Sequence, residues 1–178
     1  MRMTAGVTVA GGGDGPGIVL VVEDDAPTRK LLGSILAQER LPFHLTATGH
    51  EAMEFARHSP PAMVVLDVHL PSVRGDSVAT ALRIEYGKAL PILAMSAANE
   101  QASAEQFGAF DYLQKPFNID DFVSKVRRGL ELAERSRVLK QRSEEGARRL
   151  RETMARQRQA FHARRQQLPT RREAAASN

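Results

Sequence analysis

A chain of 178 residues, 42% of them apolar, has room for one domain of common size with an appendage, or for two small domains. It contains no Cys, which excludes disulfides and thiolate metal sites, and no apolar run approaches the roughly 18 residues that span a bilayer. The net charge of +4 conceals an acidic body and a basic tail: residues 1–126 carry 10 Lys+Arg against 15 Asp+Glu, and residues 127–178 carry 15 against 6.

The first 17 residues are Gly-rich and aperiodic, too poor in apolar surface to offset ordering entropy, and are expected to form a flexible leader. They lack the Lys-Ser/Thr ending of a phosphate-binding loop and precede a strand instead of following one. They also lack the charged region and apolar stretch of a secretory signal, so the expected location is the cytoplasm. Ile18 to Val22 is an apolar, mostly β-branched run that predicts a strand buried on both faces, ending in Glu23-Asp24-Asp25. Pro27 suits the first turn of a helix capped by Asp25 or Ala26, and Leu31, Leu32, Ile35 and Leu36 give that helix its apolar spacing. Phe43 to Thr46 predicts a weaker strand, and a helix opens at Gly49 and runs to about Arg57 before Pro60-Pro61. Met63 to Asp67 is a third strand, ending in a carboxylate. Pro71 and Gly75 bracket a loop, after which Val78, Ala81, Leu82 and Ile84 mark a helix.

Pro91 to Ser96 predicts the fourth strand, Asn99 to Phe107 a short polar helix, and Phe110 to Leu113 the fifth strand. The last helix starts near Asn118, with Phe122, Val123, Val126 and Leu130 as its buried stripe. Strict alternation of strands and helices implies α/β architecture, a doubly wound five-stranded parallel sheet with helices on both faces. In such a sheet the ligand site lies at the carboxyl ends of the strands.

Those ends gather an unusual set of groups. The first strand delivers Glu23, Asp24 and Asp25, the third Asp67, the fourth Ser96, and Lys115-Pro116 follows the fifth. Packed carboxylates repel one another, and a divalent cation relieves that cost; an oxygen-only set suits Mg²⁺. A carboxylate can also attack phosphorus to give an aspartyl phosphate, with Mg²⁺, a Lys and a hydroxyl neutralising the equatorial oxygens.

Val-Val-Glu23-Asp24-Asp25, Leu-Asp67-Val-His-Leu-Pro71, Ala-Met-Ser96-Ala97 and Tyr112-Leu-Gln-Lys115-Pro116-Phe117, in that order and each on its element, resemble a response-regulator receiver domain. The resemblance covers about residues 18–131. It implies that Asp67 accepts a phosphoryl group from a sensor histidine kinase or phosphotransfer protein. Glu23, Asp24, Asp67 and the backbone carbonyl of His69 are then the Mg²⁺ ligands. Lys115 is the group that pairs with the phosphoryl oxygens, Ser96 the hydroxyl that shifts on activation, and Tyr112 the aromatic switch that follows it. The Lys115-Pro116 bond is cis in the family pattern. The same resemblance implies self-catalysed transfer and dephosphorylation, not a conventional enzyme.

Asp25 reads as a helix cap and the His69 side chain as a solvent-facing loop residue bordering the site. Ser96 stands where Thr is commoner in the family, and His69 occupies a position that tunes dephosphorylation. The segment between Ser96 and Lys115 is about one helical turn shorter than the family pattern, with the loss in the helix at Asn99–Phe107. From this the face formed by that helix, the fifth strand and the last helix is expected to be reshaped. A phosphatase of similar topology needs a second Asp two residues after the nucleophile, where His69 stands instead.

From Leu130 to about Gln167 the chain is rich in helix formers, so the last helix is expected to continue as a basic extension over 132–168, with a disordered tail at 169–178. A strict heptad is weak here, leaving a partial coiled coil or a solvated helix. The expected partners of the extension are a second copy (a homodimer) or a docking protein. The alternative is that its Arg-rich run binds nucleic acid or an anionic membrane.

Overall fold

The computed structural model describes residues 17–71, 74–97 and 108–166. Five strands form one parallel sheet in the order β2-β1-β3-β4-β5: β1 (Val19–Val22), β2 (Phe43–Thr46), β3 (Met63–Asp67), β4 (Ile92–Ser96) and β5 (Asp111–Gln114). The helices are α1 (Ala26–Gln38), α2 (Gly49–His58), α3 (Gly75–Tyr86) and α4 (Ile119–Gln166). The Gly-rich leader, the polar helix expected at Asn99–Phe107 with the reshaped face inferred from it, and the tail 169–178 lie outside the described residues.

The central strands are apolar without alternation because both of their faces are covered. Successive residues go to opposite sides: Leu20, Val22, Val64 and Leu66 join Ala52 and Ala56 of α2 and Val78 and Leu82 of α3. Val19, Val21, Met63 and Val65 join Leu32, Ile35 and Leu36 of α1 and Phe122 and Val126 of α4. Each large side chain so buried contributes about 1.5–3 kcal/mol, and Phe122, with no exposed surface, is the largest of them.

Helix starts are set locally. Asp25 is the cap of α1, accepting from the Thr28 N–H at 2.9 Å, with Pro27 in the first turn. Thr48 caps α2 through the Glu51 N–H, while the Glu51 carboxylate reaches back to the Ala47 N–H at 2.8 Å.

Some expectations on the apolar stripes are corrected. Leu31 is 46% exposed and Ile84 82% exposed, so neither belongs to the core. Leu31 falls beyond the arc that the sheet covers, whereas Ile84, six residues after Val78 and two after Leu82, lies on the opposite face of α3 from the buried residues. β5 begins at Asp111, one residue later than expected. Gly129, a weak break in the sequence, stays inside α4, where a side chain would collide with the Met63 side chain; its absence lets the helix lie close to the sheet.

The chain divides into two compact units, residues 1–136 and 137–178, with the boundary inside α4. Beyond Ser136 the described side chains of α4 are almost all exposed.

Candidate functional site at the carboxyl edge of the sheet

The register aligns the ends of the central strands: Val22 pairs with Leu66, Asp67 with Met95, and Ser96 with Gln114. The residues that follow therefore emerge at one edge, as the sequence implied. Glu23, Asp24 and Asp67 each offer a carboxylate oxygen, all within 4.8 Å of one another. Glu23 has no exposed surface, Asp67 is 5% exposed, and Asp24 is open to solvent.

Lys115 closes the group. Its Nζ donates to Asp67 Oδ2 at 2.5 Å and to Glu23 Oε2 at 2.7 Å. It reaches them from the residue after β5, where the Lys115-Pro116 peptide bond is cis, as the family pattern implies. Asp67 Oδ1 accepts from the His69 N–H at 2.8 Å, so both carboxylate oxygens have a donor. The His69 side chain is exposed.

Burial pushes the Glu23 carboxyl up to about 7, against the hydrogen bond from Lys115 and with help from the charge of Asp67. For Lys115, burial works against the ammonium, but hydrogen bonds and charges from Asp67 and Glu23 outweigh it, and its pKa stands above the ordinary lysine value. The ammonium thus stays charged between two acidic groups that water barely reaches.

Ser96 is fully buried at the end of β4. The Tyr112 hydroxyl donates to the Ala97 carbonyl at 2.9 Å and lies 3.4 Å from that of Ser96. Ser96 and Tyr112 are thus neighbours across β4 and β5. Asp25 caps α1 through the Thr28 N–H, as expected.

Two contributors escaped the sequence reading. Arg29 donates from Nη1 to the carbonyls of Glu23 at 2.7 Å and Asp24 at 2.9 Å, fixing the acidic turn from one helical turn into α1. A basic residue in the first turn of the helix was the only available signal. Gly75, taken as a loop former, lies against the backbone at the end of β3: a Cβ there would stand 2.5 Å from the Asp67 carbonyl oxygen and 2.9 Å from Val68 Cα. Nothing in the spacing of residues reveals such an approach.

An oxygen-only set of three carboxylates, one of them exposed, fits a hard cation such as Mg²⁺. The acidic cluster on this fold is consistent with phosphorylation-based signalling.

Comparison with known proteins leads to the same place. The family described as "Response regulator receiver domain" matches residues 19–127. Over 112 residues the chain is 38% identical to the transcriptional regulatory protein SrrA of Staphylococcus aureus, covering 61% of this chain and 46% of that protein. The chain therefore spans about half the length of the curated relatives it matches. Among solved structures it is similar to a protein described as a response regulator of Chloroflexus aurantiacus (29% identity, TM-score 0.62, 66% of this chain and 99% of the other). It is also similar to NtrX of Brucella abortus (26% identity, TM-score 0.65, 70% and 29%). A receiver fold, an acidic edge closed by a lysine, and a family match over most of the folded body together show that this chain belongs to the response-regulator receiver family.

Proposed function

We propose that Asp67 is the phosphoacceptor of a two-component pathway, with a phosphohistidine on a sensor histidine kinase or phosphotransfer protein as donor. The observation that carries this reading is the Lys115 ammonium held on Asp67 and Glu23 with Asp24 alongside. In the transfer, a carboxylate oxygen of Asp67 forms a bond to phosphorus as the phosphorus–nitrogen bond of the donor breaks. The imidazole leaves with the bonding pair and takes up a proton from solvent. Lys115 moves from carboxylate to phosphoryl oxygens, and the Ser96 hydroxyl donates to another of them.

Glu23, Asp24, Asp67 and the His69 carbonyl would hold Mg²⁺, which when bound neutralises charge on the transferred group. Tyr112 then gives up its Ala97 contact and turns toward the space vacated by Ser96. His69, exposed beside Asp67, sets how readily water reaches the acyl phosphate. The chain is a self-catalysed acceptor, working in the cytoplasm, and its output is a changed affinity for a protein partner. Residues 18–131 form the receiver, and α4 from residue 132 onward is its helical extension.

The test is labelling with a small phosphodonor such as acetyl phosphate plus Mg²⁺, read by intact mass. Wild type should gain one phosphoryl group and Asp67→Asn none; no label on the wild type, or equal label on both, overturns the assignment.

A further inference from the structure

Between residues 139 and 161 of α4, charge is absent from one face. Leu139, Leu150, Met154 and Phe161 are 66%, 62%, 61% and 65% exposed. At 3.6 residues per turn these four lie within about 60° of one another, with Ser143 and Gln157 inside the same arc and Ala147 at its edge. A strict seven-residue repeat misses this stripe because Leu139 and Leu150 are eleven residues apart. Eleven residues make about three turns, so the stripe continues nearly parallel to the helix axis.

The borders of the stripe are basic. Every charged residue within about a right angle of its centre is cationic: Lys140, Arg142, Arg151 and Arg158. The acids, Glu144, Glu145 and Glu152, lie further round, and Glu152 pairs there with Arg148 at 3.7 Å.

This layout selects among occupants. Two such helices packed stripe to stripe would bring the cationic borders against their like, where a stable pair places opposite charges. A nucleic acid would meet the cations but leave four large apolar side chains in water. A protein groove takes closely spaced knobs, whereas here Ser143, Gly146 and Gln157 interrupt a stripe that is about 33 Å long. A flat surface with apolar depth and anionic phosphates matches both parts along the whole length.

We propose that residues 139–161 of α4 lie on an anionic lipid surface, with Leu139, Leu150, Met154 and Phe161 among the acyl chains and Lys140, Arg142, Arg151 and Arg158 at the headgroup phosphates. The proposal is independent of the phosphoacceptor reading and stands or falls separately from it.

The experiment is co-sedimentation of the full chain with vesicles of phosphatidylcholine and phosphatidylglycerol in equal parts, and with phosphatidylcholine alone. Binding to the mixed vesicles should be at least about tenfold tighter and should weaken with salt. The double variant Leu150→Gln/Met154→Gln keeps good helix formers and should lose at least about tenfold on mixed vesicles. Lys140→Glu/Arg151→Glu should lose as much, with far-UV circular dichroism unchanged in both. Four results would overturn the proposal: no preference for anionic vesicles; full binding retained by the Leu150/Met154 variant; tighter binding to duplex DNA that the variant keeps; or a doubled molar mass in solution that the variant abolishes.

Discussion

Replacing Gly75 with alanine isolates one packing term at the site. A Cβ at Gly75 would stand 2.5 Å from the Asp67 carbonyl oxygen, 2.9 Å from Val68 Cα and 3.2 Å from the Val68 oxygen. All three are backbone atoms of β3 and its continuation, so no side-chain rotation relieves the overlap. Ordinary contact requires a displacement of about 0.9 Å between the start of α3 and the end of β3. Overpacking of this kind costs about 1–3 kcal/mol, while alanine in a helix returns at most about 1 kcal/mol. We expect Gly75→Ala to be destabilised by about 1–2 kcal/mol in urea unfolding. Its rate of labelling by acetyl phosphate should fall by about tenfold or more, because Asp67 moves with its backbone. Gly146→Ala is the internal control. Nothing lies within 4 Å of a Cβ there, so the same substitution should raise the helicity of α4 through about 0.5–1 kcal/mol of local stability. A Gly75→Ala protein as stable and as readily labelled as the wild type would refute the close-approach argument.

Other substitutions probe the charges. Asp111 lies below the ordinary carboxylate value: burial pushes it up, but Lys125, the Tyr112 N–H and the charges of Lys125 and Arg128 outweigh burial. A lowered folded pKa gives stability that is present above the ordinary value of 3.8 and lost as pH falls through the folded one. Asp111→Asn should therefore cost about 1 kcal/mol at neutral pH after solvent screening, and almost nothing in strong acid; an undiminished cost in acid counts against the ion pairs. Lys115→Ala leaves Glu23 and Asp67 facing each other without their shared cation, at a cost of about 2–3 kcal/mol. Mg²⁺ should narrow that gap in thermal unfolding, and equal stabilisation of variant and wild type by Mg²⁺ would speak against a common site. Asp25→Ala should lower stability by about 1 kcal/mol through loss of the α1 cap while labelling at Asp67 persists; abolished labelling would instead make Asp25 part of the site.

The sheet was legible because parallel strands covered on both faces must be apolar throughout, and Val19–Val22, Met63–Asp67 and Ile92–Ser96 leave little choice. The edge cluster was legible for a related reason: strand direction places Glu23, Asp24 and Asp67 at one end before any distance is known. What stayed hidden depends on three dimensions. The exposure of Leu31 is decided by how far the sheet reaches around α1, which periodicity does not encode. Arg29 acts on backbone carbonyls, partners that leave no mark in the sequence. Gly75 and Asp67 are eight positions apart, and the close approach of their backbones is a property of the fold that spacing does not show.

The shortness of β5 has a mechanical consequence. Lys115 follows Gln114 directly, and at the other end of the same four-residue strand Asp111 holds Lys125 at 2.8 Å and Arg128 at 3.2 Å, both in the opening turns of α4. The strand is paired in register with β4 from Leu93↔Asp111 to Ser96↔Gln114, so its two ends share one anchored element. β5 is in this sense a common mount, with the acidic edge at one end and the root of a helix at the other.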